Sequence, residues 1–188
     1  MLHERRKEDN TFKRMIDIGI ALSSERDHNR LMELILLETK DLCNADGGTL
    51  YLRTENDGLK FEIMRTDSLN FAKGGTTGEE IAFPPLPIYD PETGEGNHRN
   101  IATHVALTGE TVSIKDAYET DRFDFSGTKK FDEGTGFRSK SFLTVPMKNH
   151  DGDVIGVIQL LNSQDRETGE VIAFDPDIQP LIESLTSQ

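Results

Sequence analysis

The side chains with chemical potential in this chain are polar groups set among apolar or turn-forming neighbours. Asp116 and Tyr118 follow a short strand-like stretch at residues 111–114. Asp116 could accept hydrogen bonds from a base or an amine; as a loop aspartate it equally makes a turn. Thr144 and Gln159 are polar positions in two apolar, strand-like runs, and Tyr51 has the same standing in a third. Such residues either face a polar pocket or bond to backbone. Ser126 and Thr128 offer hydroxyl donors beside Phe125, and Gly127 lets a ligand approach the backbone closely. Ser126 equally fits a helix cap. Arg122, Lys129, Lys130, Arg138 and Lys140 form the one basic concentration. It reads either as a rim that attracts a phosphate or as a solvated surface paired with Asp121, Asp124, Asp132 and Glu133.

No catalytic constellation is present. The chain has no Gly-x-Ser-x-Gly elbow, no P-loop and no supported Cys–His pairing. Cys43 is the only cysteine, which rules out an intramolecular disulfide and a cysteine-rich metal site. Its apolar surroundings mark it as a core thiol. His150-Asp151 matches the dipeptide of HD phosphohydrolases, but it sits in a hairpin turn without the further His and Asp that a metal cluster needs. His104, beside Val105 and Leu107, reads as packed; His98, His28 and His3 read as solvated. The expectation is therefore no catalysis, no metal and no cofactor.

The elements that must position these groups follow from periodicity. The 188 residues suit one large or two very small domains, and 35% apolar with 29% charged residues suits a globular domain. No apolar run approaches the ~20 residues that span a bilayer. The charged first ten residues lack the apolar core of a secretory signal, so a cytoplasmic location is expected. A formal charge of −13 repels phosphate backbones and anionic lipid, making nucleic acid and membrane poor partners while leaving room for an anion in a local positive pocket. Helices are expected at 11–22, capped by Asn10, and at 28–44, capped by Asp27. A hairpin follows at 49–66. Residues 67–99 read as irregular, with at best an edge strand at 81–88 because of Pro84, Pro85 and Pro87. A helix at 100–107 is closed by Gly109, and residues 116–138 hold two short helical possibilities. Strands around Leu143 and over 154–161 flank an Asp151-Gly152 turn, and a last helix starts near Gln179, with Pro180 in its first turn. No internal repeat is apparent. The class is α+β: one antiparallel sheet of five or six strands between helical layers.

That order, with the stretch "HVALTGETVSIKDAYETDRFDFSGTKKFDEGTGFRSKSFLTVPMKNHDGDVIGVIQLLN" at 104–162, resembles a GAF domain, a PAS-like fold, over about residues 27–185. The proline-rich insertion is similar to bacterial GAF domains upstream of HD or HD-GYP phosphohydrolases or nucleotidyl cyclases. The resemblance implies a sensor domain over 27–188, preceded by a linker or signalling helix at 1–26. It implies a small-molecule pocket roofed by residues 100–138, a homodimer through terminal helices, and an effector domain elsewhere in the parent protein. In the cyclic-nucleotide branch helix N-termini bind the phosphate, which the helix dipole and its orphan amides favour; here Phe125, Ser126, Gly127 and Thr128 are the best candidate for that place. That branch also carries an Asn-Lys pair followed by Phe-x-x-x-Asp-Glu. Asn162 and Phe174 match, whereas Ser163, Ile178 and Gln179 replace the Lys, Asp and Glu. The family's methionine-sulfoxide and bilin chemistries need cysteines near the pocket loops, and Cys43 is alone in the second helix. The competing expectation is a constitutive dimerisation module without a ligand.

Overall fold

Residues 2–9 are rich in Glu, Arg and Lys, which lose little rotamer freedom in a helix. In the computed structural model, which describes residues 1–187, they extend the first helix to α1, Leu2–Ser24. Apolar periodicity alone starts it at Thr11, so Asn10 is an interior residue and not a cap. Helix α2, His28–Leu42, begins where the sequence marks it, with the Asp27 carboxylate accepting the Arg30 N–H at 3.0 Å.

Eight strands form one antiparallel sheet: β1 Ala45–Arg53, β2 Gly58–Thr66, β3 Phe71–Gly74, β4 Leu86–Pro87, β5 Val112–Ile114, β6 Phe142–Lys148, β7 Val154–Gln164 and β8 Val171–Ile172. The order is β3-β2-β1-β7-β6-β5, with β4 beside β2 and β8 beside β7. Strands β3 and β8 lie in stretches without alternating periodicity. Four residues or fewer paired through backbone leave no side-chain period to read, so region 67–99 is more ordered than its composition suggests. The expected strand at 81–88 shrinks to the two residues of β4.

Helix α3, Ile101–Thr108, has both signals that the sequence shows. The Asn100 side chain accepts the Ala102 and Thr103 amides, and Gly109, at φ +67°, closes onto the Val105 carbonyl. Of the two helices expected in 116–138 only α4, Ser126–Thr135, forms; the rest is turns. Helix α5, Gln179–Thr186, carries Pro180 in its first turn. Among the described residues no helix is long and apolar enough to cross a membrane.

The sheet has an apolar core on each face. Leu50, Leu143, Val145, Ile158 and Leu160 meet Ile18, Leu22, Met32, Leu36, Ile182 and Leu185 from α1, α2 and α5. On the opposite face Tyr51, Phe142 and Val157 meet Ala102 and Val105 of α3, with Phe123 and Phe125. A register shift at Leu50/Tyr51 sends Phe61 to the α3 face and its neighbour-but-one Ile63 to the other. Cys43 belongs to the first core, and burial pushes its thiol up to about 12, a packed and unreactive group.

One turn sequence recurs at five of six positions, with Pro91 in the first copy and Arg166 in the second. Asp90-Pro91-Glu92-Thr93-Gly94-Glu95 and Asp165-Arg166-Glu167-Thr168-Gly169-Glu170 make the same turn. In each, the Asp carboxylate accepts the amides two and three residues on, the Gly amide returns to the Asp carbonyl, and the Asp amide donates to the last Glu carbonyl.

Candidate functional site

Antiparallel pairing aligns Met64, Thr49, Gln159, Thr144 and Val112 in one row across β2, β1, β7, β6 and β5. The strand neighbours two residues away, Tyr51, Val157 and Phe142, belong to the α3 core, so the row faces α3. The result is a polar strip, Thr49–Gln159–Thr144, between two apolar ones. Thr144 is fully buried, and its hydroxyl donates to Gln159 Oε1 at 3.5 Å, a long contact that leaves the amide nitrogen of Gln159 free among the described residues. Tyr51 is 5% exposed, and burial holds its phenol neutral, far above the usual tyrosine range.

Helix α4 presents its N-terminus to two cavities, and Tyr51, Thr144 and Gln159 line neither of them. Phe125 precedes the helix, and the Asp124 carboxylate accepts the Ser126 N–H at 2.9 Å. Ser126 is thus the first helical residue, and Asp124 does the capping expected of it. The Gly127 and Thr128 amides stay as orphan donors. A cavity of about 460 Å³ is lined by Arg99, Arg122, Phe123, Asp124, Phe125, Ser126 and Lys129, among others. A neighbouring one of about 360 Å³ is lined by Asn97, Arg99, Asn100, Asp124, Ser126, Gly127 and Thr128. Hydrogen bonds from Ser126, then the charges of Arg99 and Lys129, hold the Asp124 carboxyl below its ordinary range. Three cations against two carboxylates make this the positive spot of a chain with charge −13. Phe125 links the cavity wall to the sheet: its ring lies 5.1 Å from that of Phe142 on β6.

The other predicted residues go elsewhere. Asp116 accepts the Tyr118 amide at 2.9 Å, a turn, and neither residue lines these cavities. The Tyr118 hydroxyl donates to Asp132 at 2.6 Å, a bond that raises its pKa, and the Arg138 guanidinium lies 4.1 Å from its ring centre. Asp132 is the one buried residue of α4, and it also accepts the Ser139 amide and hydroxyl. Of the basic cluster, Arg122 lines the cavity, Arg138 lies on Tyr118, and Lys129 does both, with its Nζ 5.3 Å from the Tyr118 ring centre. Asn162 holds the segment below: its Oδ1 accepts the Lys140 and Ser141 amides and its Nδ2 donates to the Arg138 carbonyl.

A GAF domain model matches residues 27–188. The chain belongs to the GAF family. The GAF chain is 34% identical over 150 residues to the dual 3′,5′-cyclic-AMP and -GMP phosphodiesterase 11 of Drosophila melanogaster, covering 78% of this chain and 10% of that one. It is 30% identical over 171 residues to the dual phosphodiesterase 11A of Takifugu rubripes, covering 91% and 17%. It thus spans a small fraction of these relatives' length. Among solved structures, the GAF domain of an Acinetobacter phosphoenolpyruvate-protein phosphotransferase superposes with a TM-score of 0.65 at 16% identity, covering 94% of this chain and 88% of that one. The Coxiella burnetii counterpart gives 0.66 at 12%, covering 95% and 89%. These confirm the α+β fold with its helix-flanked antiparallel sheet.

Sequence reasoning missed Arg99, Phe123, Asp124 and Thr49. Asp124 had a legible signal, an Asx residue two positions before a helix start. Thr49, two residues from Tyr51, had the strand period. Arg99 had none, because nothing local ties the end of a long loop to α4.

Proposed function

We propose that this GAF domain is a sensor that binds a small anionic, nucleotide-like ligand between the polar strip and the N-terminus of α4. A cyclic nucleotide is the first class to test. The observation that carries this reading is the concentration of Arg99, Arg122 and Lys129 around the orphan Gly127 and Thr128 amides, beside an aromatic wall. Phe125, Ser126, Gly127 and Thr128 are assigned to the anionic group, and Tyr51, Thr144 and Gln159 to the uncharged part. Asp116 and Tyr118 act as supports of the roof. Relatives that act on cyclic AMP and cyclic GMP favour the same class.

The parent protein, in this reading, is longer and places an effector such as a phosphohydrolase or cyclase beyond the domain, as in bacterial proteins of this type. Residues 1–26 serve as the signalling helix. Binding reorders the roof, shifts α1 and α5 on the opposite face, and biases the effector.

Calorimetry with cyclic GMP, cyclic AMP and their linear monophosphates tests the reading. Saturable binding of one of them, weakened at least about tenfold (~1.4 kcal/mol) in an Arg99→Ala/Lys129→Ala variant, is the expected result. Silence from every nucleotide on a folded protein would overturn it in favour of a constitutive dimerisation module. Two observations favour that second reading: Ser163 in place of the motif lysine, and the exposed α1 side chains Phe12, Ile16 and Ile20.

A further inference from the structure

Two imidazoles meet behind Arg99 and Phe123, which line the larger of the two cavities. His98 immediately precedes Arg99 in the loop that enters α3, and His104 lies in the first turn of that helix. The sequence reads the first as solvated and the second as packed. Their Nδ1 atoms are in fact 2.8 Å apart, with ring centres 5.0 Å apart and planes at 72°. A contact of that length between ring nitrogens is a hydrogen bond, which needs one nitrogen protonated and the other bare. Adding a second proton sets N–H against N–H and ends it. The pair therefore tolerates a charge of zero or one, and not two.

What the pair holds is the cavity wall. The His104 ring packs edge-on against Phe123 at 5.2 Å, Phe123 meets Phe125 at 6.4 Å, and Phe125 meets Phe142 on β6. A continuous line of rings runs from the loop to the sheet. One residue past His98, the Arg99 carbonyl accepts the Asp124 amide at 2.7 Å, which ties the same loop to the start of α4.

We propose that His98 and His104 form a proton-operated catch, which holds residues 97–100 and Phe123 against the cavity near neutral pH and lets them go when the pair takes a second proton. The charged groups facing His104 are His98 from the loop, Arg122 from the segment before α4 and Glu110 from the turn after α3. Burial comes first, then His98 and Arg122; together they hold the imidazole below the usual histidine range, and Glu110 opposes them. The closed form thus binds fewer protons than the open one. Closure is complete above the ordinary histidine value of about 6.5 and is lost as pH falls through the window beneath it.

The test is amide hydrogen exchange on the whole chain, corrected for intrinsic rate, at about pH 7.5 and about pH 5.5. The reporter is the Asp124 amide, with amides at the centre of β7 as control. Protection of Asp124 should fall several-fold on acidification while β7 holds, and in His98→Gln or His104→Gln it should no longer depend on pH. His98 is exposed and His104 half-buried, and unchanged β7 protection in each variant checks that it is folded. Ring-proton titration adds a second readout: coupled, two-step curves in the native chain and a single step in each variant. Equal pH dependence in native and variant chains, or rings that titrate independently, would overturn the catch. That the catch governs ligand entry rests on the sensor reading. Neither readout uses a ligand, so failed nucleotide binding would sink the sensor and leave the catch, and the reverse holds too.

Discussion

Asn162 binds three backbone groups, on Arg138, Lys140 and Ser141, from a position at φ +54° and 3% exposed. Removing the amide leaves buried donors and an acceptor unpaired, so Asn162→Ala should cost about 2–4 kcal/mol in urea unfolding. Asn162→Gly separates the causes. Glycine accepts the left-handed backbone without strain but makes none of the bonds, so it should lose nearly as much. Recovery of most of the stability by glycine would show that the backbone conformation, and not the hydrogen bonds, decides the residue. In the sequence Asn162 stood out only through the family motif. Its clamp was hidden, because the groups it holds lie 21 to 24 positions earlier in the chain. Cys43 was legible as a core thiol from its neighbours alone; the alternative reading of Ser126 as the helix cap fails because Asp124, two residues upstream, takes that part.

Helix α4 is the least anchored element near the site, with Asp132 its one buried residue. Three donors satisfy that carboxylate, all from outside the helix, and the Tyr118 hydroxyl can be removed with the ring left in place. Tyr118→Phe should cost about 1.5–3 kcal/mol, the range for a hydrogen bond to a charged group. Amides of α4 should then exchange faster while those of α3 stay as they were; a change spread evenly over the domain would show that Asp132 anchors no particular element. Elements with strong local signals were read well. Helix α3 has an Asx residue before it and a glycine after it; β6 and β7 have long apolar runs. Where side chains carry no period, as in β3 and β8, backbone pairing alone makes the strand. The charge-rich start of α1 failed for the opposite reason: helix propensity persisted where the apolar stripe did not.

Taken as a whole, the molecule buries one face of α1 and leaves another bare. Phe12, Ile16 and Ile20, 69%, 47% and 61% exposed, stand four residues apart along the helix. A second copy packed along this stripe would cover them. Sedimentation equilibrium should show a dimer whose dissociation constant rises at least about tenfold in Phe12→Lys/Ile20→Lys, whereas a monomer at all concentrations would exclude α1 as the interface. The fold class and the two-faced core were legible because amphipathic patterns report what is buried. The rim of the site was not, because Arg99, His98 and Asp124 meet across loops. Loop encounters leave no trace in periodicity. The recurring turn has a further consequence, which concerns the chain before it folds. A corner that takes one shape at 90–95 and again at 165–170, amid different neighbours, is specified by the five residues the two segments share. Turns of this size close within microseconds, so these two corners are sampled early, ahead of the pairing of distant strands. One shortens the search that brings the long 67–99 excursion back to α3, and the other aims the end of β7 at β8.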